Sequence, residues 1–221
     1  MIDVAENLAR VRERIRRAAM RVGRAPEEVL LVGVSKSVDV ERIRRALAAG
    51  LPALGENRVQ EAGEKIEALG HAVPWHMVGH LQTNKARDAV LLFDLIHSVD
   101  RLDLARELQR RAVAAGRVVE VLVQVNLSGE ATKGGFGADE LKGALEAMTE
   151  LPALRVRGLM TIPPPVERAE ESRGWFRRLR DLRNEAGLEH LSMGMSDDFE
   201  VAVEEGATMV RVGTAVFGPR G

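Results

Sequence analysis

Lysine is scarce in this chain. Of 32 basic residues only five are lysines, Lys36, Lys65, Lys85, Lys133 and Lys142, and arginine supplies the rest. A compact amine can shed its proton and condense with an aldehyde, whereas a guanidinium cannot, so a lysine in a special place is conspicuous. Lys36 has such a place. It follows Ser35 at the end of the apolar run Val29-Leu30-Leu31-Val32-Gly33-Val34, where packing would hold its stem and partial desolvation would favour the neutral, nucleophilic amine. The chemistry open to it is imine formation. A lysine whose stem packs on a rim while its amine reaches water is the plainer reading of the residue taken alone.

A second group lies near the carboxyl end of the chain. Gly194, Ser196, Gly213 and Thr214 follow two short apolar runs and could offer backbone N–H groups and hydroxyls to a phosphate. Glycines that simply let the chain turn are the alternative. An imine-forming lysine and a phosphate site in one mouth together suggest a phosphorylated aldehyde.

The elements that must position these residues follow from hydrophobic periodicity. Leu8, Val11, Ile15, Ala18 and Val22 recur at helical spacing, which predicts an amphipathic helix ending near Gly23. Its Arg10, Arg12, Arg14, Arg17 and Arg21 are expected to form a solvated face. Short apolar runs then alternate with helical patterns. Strands are expected at 29–34, 53–55, 75–79, 95–98, 118–125, 156–160, 190–193 and 209–212. Helices fall near 57–69, 84–91, 101–115, 138–148, 167–186 and 198–205, with another through Ile43 and Leu47 to Gly50. Eight strands separated by helices predict a single (β/α)8 TIM-type barrel of parallel strands with an extra N-terminal helix, one domain over 1–221. In such a barrel chemistry collects at the strands' carboxyl ends, where Ser35-Lys36, Glu56-Asn57, His80, Ser98, Asn126, Ser192 to Asp197 and Arg211 to Thr214 fall.

Composition narrows the function classes. The net charge is −1, so no global field draws in nucleic acid or an anionic membrane, and neither is expected as a partner. Cysteine is absent, which removes disulfides, thiolate metal sites and a cysteine nucleophile. No Gly-x-x-x-x-Gly-Lys-Ser/Thr loop or His-Glu-x-x-His helix occurs, and no metal is expected. His76 and His80 lie about 13 Å apart if on one strand, too far to share an ion. They are expected to fill the barrel or contact a ring, while His71, His97 and His190 are read as structural. The opening stretch, with Asp3 and Glu6, lacks a secretory pattern, so a cytoplasmic protein is expected; a monomer is expected separately.

The motifs resemble those of the pyridoxal phosphate homeostasis proteins, also described as the proline synthetase co-transcribed bacterial homologue family. The resemblance runs over nearly the whole chain. It rests on Val32-Gly33-Val34-Ser35-Lys36, Gly55-Glu56-Asn57-Arg58-Val59-Gln60-Glu61, Trp75 to Lys85, His97-Ser98-Val99-Asp100-Arg101 and Gln124-Val125-Asn126. Gly158 to Pro163, Leu191 to Asp198 and Met209 to Gly218 complete it. It implies a barrel similar to the cofactor domain of bacterial alanine racemase and pyridoxal 5′-phosphate as cofactor, bound as a Schiff base on Lys36. It further implies Arg211 at the pyridine nitrogen, Ser196, Gly213 and Thr214 at the phosphate, and Asn57 beside the ring. Asp39 and Arg58 depart from the family pattern, which has proline and tyrosine there, and put loop shape and ring packing in question.

These roles favour a carrier. A cation at the pyridine nitrogen opposes its protonation and weakens the ring as an electron sink, so imine exchange stays easy while carbanion chemistry is handicapped. Two-base racemisation needs an acid or base on the face opposite the lysine, and the chain has no tyrosine. The expected function is therefore vitamin B6 homeostasis and delivery of the cofactor to apo-enzymes, with no catalytic residue assigned. A weak amino-acid racemase is the alternative, and a lysine-dependent aldolase without the cofactor a third reading.

Overall fold

The computed structural model describes residues 3–130 and 133–219. Eight parallel strands close into a barrel in sequence order: β1 (Leu30–Val34), β2 (Ala53–Glu56), β3 (Trp75–Met77), β4 (Leu95–Val99), β5 (Val119–Gln124), β6 (Leu154–Met160), β7 (His190–Ser192) and β8 (Met209–Val212). Pairing of β1 with β8 completes the ring, with Val32 beside Arg211. Helix α1 (Val4–Arg21) precedes it. Between the strands run α2 (Val40–Ala48), α3 (Val59–Leu69), α4 (Ala86–Leu92), α5 (Leu102–Ala114), α6 (Leu141–Thr149), α7 (Arg173–Glu185) and α8 (Phe199–Glu204). A final turn, α9 (Thr214–Phe217), comes after β8. The expected barrel and leading helix are both present. The pattern expected to be helical from 167 is tighter at first, a 3₁₀ turn over Ala169–Ser172, and becomes α-helical only at Arg173.

The two-residue period of a strand decides which side chains face the barrel axis. Along β1, Leu30, Val32 and Val34 pack inside with Ala53 and Val78, while Leu31 joins the layer beneath the helices. Along β8, Met209 faces inward beside Leu95, Leu122 and Met160, and Val210 and Val212 face outward. The core therefore sits in two places: a large layer between strands and helices, and small apolar plugs within the barrel. Glycine makes one contact possible. A Cβ on Gly158 would lie 2.1 Å from the His190 carbonyl oxygen of the adjoining strand.

Helix α1 starts where the Asp3 carboxylate accepts the Glu6 N–H at 3.0 Å, the expected use of an acidic N-cap. Its buried face is Val4, Leu8, Val11, Ile15, Ala18 and Ala19. The arginine face is less idle than the sequence implies. Arg14 pairs with Glu200 at 2.8 Å and lies 4.4 Å over the Phe199 ring, and Arg21 reaches Glu204 at 2.7 Å, so part of that face docks on α8.

Candidate functional site

The carboxyl ends of the strands frame a cavity of about 250 Å³ lined by Val34, Asn57, Val78, Ile162, Met195, Ser196, Asp197, Arg211, Gly213 and Thr214. Five of the six residues singled out in the sequence thus meet in one space. Lys36, the sixth, lines an adjoining cavity of about 300 Å³ with Arg58, His80 and Lys85, and Asn57 borders both. The Ser35 N–H still donates to the Gly55 carbonyl at 2.9 Å, so the strand's alternation runs past its end. Lys36 follows in the turn that the Val38 N–H closes onto the Ser35 carbonyl at 2.9 Å. It is half-buried, and no hydrogen bond or ion pair engages its amine among the described residues. Lys65 and Lys133, by contrast, are bound by carboxylates. A depression of about 590 Å³ near Asp100, Arg106 and Phe136 is larger, but no lysine or hydroxyl lines it.

Arg211 rises from the inward side of β8 and is buried. Its Nη1 donates to Ser192 Oγ at 2.6 Å and its Nη2 to the Thr161 carbonyl at 2.9 Å, which fixes the guanidinium plane. Burial lowers its pKa to about 10, so it stays cationic at neutral pH. A polar run continues beneath it. Ser192 Oγ lies 2.8 Å from His97 Nδ1, and His97 Nε2 lies 3.0 Å from His76 Nδ1. Burial lowers the His76 pKa to about 4 and drives that of His97 well below the ordinary value, with the charges of His76 and Arg211 adding to the second effect. Both rings are therefore neutral at pH 7. His76 fills the barrel as expected, and His97 is its hydrogen-bonded partner; His80 instead stands at the mouth, 3.0 Å from Asp100.

The loops after β7 and β8 are tied to each other and to the helices. The Ala215 N–H donates to Ser196 Oγ at 3.3 Å. Asp198 accepts from the Met195 N–H at 2.7 Å and from the Ser172 hydroxyl at 3.0 Å. Gly194 has φ +91°, and a Cβ there would lie 2.5 Å from that of Ala202, so only glycine lets this loop settle on α8.

Asn57 supplies the test of whether a polar ligand fits. Its Oδ1 is buried and has no hydrogen-bond partner, a costly state unless something donates to it. It borders the cavity that holds Arg211 and the Ser196, Gly213 and Thr214 loops. Those groups suit a polar, anionic ligand. Gly79 permits the arrangement, since a Cβ there would lie 2.5 Å from the Asn57 carbonyl oxygen. Among the described residues no group of three or more His, Asp or Glu is placed to hold a metal ion.

Of the two departures from the family pattern, Asp39 has a local explanation. Asp39 has φ −67°, within the range proline fixes, and its carboxylate accepts the Arg42 N–H at 2.8 Å as the N-cap of α2. Arg58 borders the outer cavity beside Lys36.

Glu56 is not at the mouth. With Ala53 facing inward, the period of two turns Glu56 outward beneath α3, where its Oε1 accepts from Lys65 Nζ at 2.6 Å and Ser35 Oγ at 2.6 Å. Burial pushes its pKa up, offset in part by those hydrogen bonds. Lys65 was not singled out in the sequence. The available signal was its position four residues after Glu61, in a chain with few lysines.

Residues 7–221 match the family described as alanine racemase, N-terminal domain. The chain is 50% identical to the pyridoxal phosphate homeostasis protein of Aquifex aeolicus over 99% of each chain. It is 46% identical to that of Pseudomonas aeruginosa over 100% of this chain and 97% of the other. The structure of PipY from Synechococcus elongatus with PLP bound is 40% identical, with a TM-score of 0.87, and is covered in full by 97% of this chain. An alanine racemase from Clostridium difficile, 19% identical with a TM-score of 0.73 over 56% of its length, shares the fold. The chain belongs to the alanine racemase N-terminal domain family and, within it, to the pyridoxal phosphate homeostasis proteins.

Proposed function

We propose that this protein holds pyridoxal 5′-phosphate as a Schiff base on Lys36 and acts in cytoplasmic vitamin B6 homeostasis, passing the cofactor to apo-enzymes. The observation that carries the reading is the Lys36 amine, without a partner among the described residues, in a cavity that shares Asn57 and its orphaned oxygen with the one bordered by Arg211, Ser196, Gly213 and Thr214. The bound cofactor supplies an aldehyde. Lys36 would hold the group by condensing with that aldehyde, the carbonyl oxygen leaving as water. Ser196, Gly213 and Thr214 hold the phosphate, and Asn57 donates to or accepts from a polar group beside the ring.

Arg211 limits the chemistry open to the bound group. Held by Ser192 and Thr161 and cationic at neutral pH, it keeps a facing pyridine nitrogen unprotonated and so denies the ring its full electron-withdrawing power. The site is suited to keeping and exchanging an aldehyde. The name of the Aquifex aeolicus relative and the cofactor in PipY support this assignment.

Borohydride reduction of the loaded protein, with peptide mapping of the product, is the direct test. The phosphopyridoxyl group is expected on Lys36. A label spread evenly over Lys85, Lys133 and Lys142 would defeat the reading, and a colourless protein that never takes up the cofactor would point to the aldolase alternative. Incubation of the loaded protein with single-enantiomer amino acids should leave optical purity intact; its loss at enzymatic rates would make the protein a racemase.

A further inference from the structure

Lys65 carries three hydrogens on its amine, and each has a partner. Nζ donates to the Ser35 carbonyl at 2.5 Å, to Glu56 Oε1 at 2.6 Å and to Glu61 Oε1 at 2.7 Å. The two carboxylates reach further. Glu61 Oε1 also accepts the Ser37 N–H at 2.6 Å, while Glu56 accepts the Ser35 hydroxyl at 2.6 Å and, through Oε2, the Asn57 N–H at 3.1 Å. The cluster thus grips the residue before Lys36, the residue after it, and Asn57.

Lys65 is 6% exposed and Glu56 fully buried. Ions taken out of water in this way are a poor source of stability, because desolvation cancels much of the attraction and apolar replacements often do as well. Their use is better sought in position. Ser37 has φ +59°, which a non-glycine residue adopts only when its surroundings hold it there, and the bond from its N–H to Glu61 is part of that hold. Lys65 lies on the outward side of the sheet with all its donors spent, so it is not a second aldehyde-binding lysine.

We propose that Lys65, clasped between Glu56 and Glu61, is a positioning residue that sets the backbone on both sides of Lys36 and thereby the approach of the Lys36 amine to its aldehyde. The inference rests on the Schiff-base reading above. A displacement of about 1 Å at a reacting group costs up to about a hundredfold in rate, which is the scale on which the clasp acts.

The test monitors imine absorbance after apo-protein is mixed with pyridoxal 5′-phosphate, and the visible circular dichroism of the product, in the full chain and three variants. Lys65→Met keeps the stem and removes the charge; Glu61→Ala removes the acceptor for Ser37; Glu61→Gln keeps an acceptor. Imine formation is expected to slow roughly tenfold to a hundredfold in the first two, with an altered visible dichroism, and to recover toward the parent rate in Glu61→Gln. Folded Lys65→Met and Glu61→Ala proteins with parental rate and dichroism would overturn the inference. So would failure of Glu61→Ala to fold, which would assign the cluster to stability; if only Lys65→Met fails, the two Glu61 variants decide. A parent chain that forms no imine would bring down the Schiff-base reading itself, and is distinguished because no substitution is needed to see it.

Discussion

At Ser196 one hydroxyl joins two loops, accepting the Ala215 N–H at 3.3 Å beside the cavity. On the proposed reading Ser196→Ala also removes a phosphate partner, worth about 1 kcal/mol, so the dissociation constant for the cofactor should rise roughly fivefold in a fluorescence titration. His76 makes a prediction about acid. Its folded pKa of about 4 lies below the ordinary 6.5, so the unfolded chain binds the extra proton first. The stability this neutral ring contributes is intact above pH 6.5 and drains away as pH falls toward 4. On the order of 3 kcal/mol is at stake at the lower end. Urea midpoints measured from pH 7 to pH 4 should fall in the parent and fall less in His76→Gln. At this scale the sequence was partly legible. Lys36, Ser196, Gly213 and Thr214 stand out by their places after apolar runs, whereas Asn57 and Arg211 were singled out only by the resemblance. The run from Arg211 through Ser192 to His97 and His76 joins residues on four different strands, which no spacing displays.

Among the elements, the strands were the more legible, since buried parallel strands read as continuous apolar runs. The start of α7 was not. The polar stretch around Glu170 and Glu171 has no apolar periodicity to separate a 3₁₀ turn from an α-helix. Nor does the sequence show how nearly the backbones touch. Gly79→Ala would press a methyl group against Asn57, 2.5 Å from its carbonyl oxygen, and should weaken cofactor binding by about tenfold while leaving the barrel folded, as equilibrium dialysis and far-ultraviolet circular dichroism would report. Gly158→Ala acts elsewhere. Its methyl group would meet the His190 carbonyl at 2.1 Å and part β6 from β7, so a loss of about 3 kcal/mol in the unfolding free energy is expected from denaturant titration.

For the molecule as a whole, β1 pairs with β8 and, among the described residues, no sheet edge is left for another chain to extend. The mouth is assembled from residues spread from Lys36 to Thr214, so a ligand there bridges the first and last strands. A cofactor at a hundred times its dissociation constant adds about 2.7 kcal/mol to folding stability. In a chain of 221 residues that should raise the melting temperature by roughly 5–10 °C in calorimetry, and a Lys36→Ala chain should show a smaller rise.

The alternation along β1 has a consequence for how this protein can change. Val34 faces the mouth, Ser35 the carboxylates beneath α3, and Lys36 the mouth again. Deleting or inserting one residue in that strand would exchange the two sides, presenting a serine to the ligand and delivering an amine to acids already satisfied by Lys65. Lineages descending from this sequence are free to swap side chains here, but their alignments should contain no gap between Leu30 and Lys36.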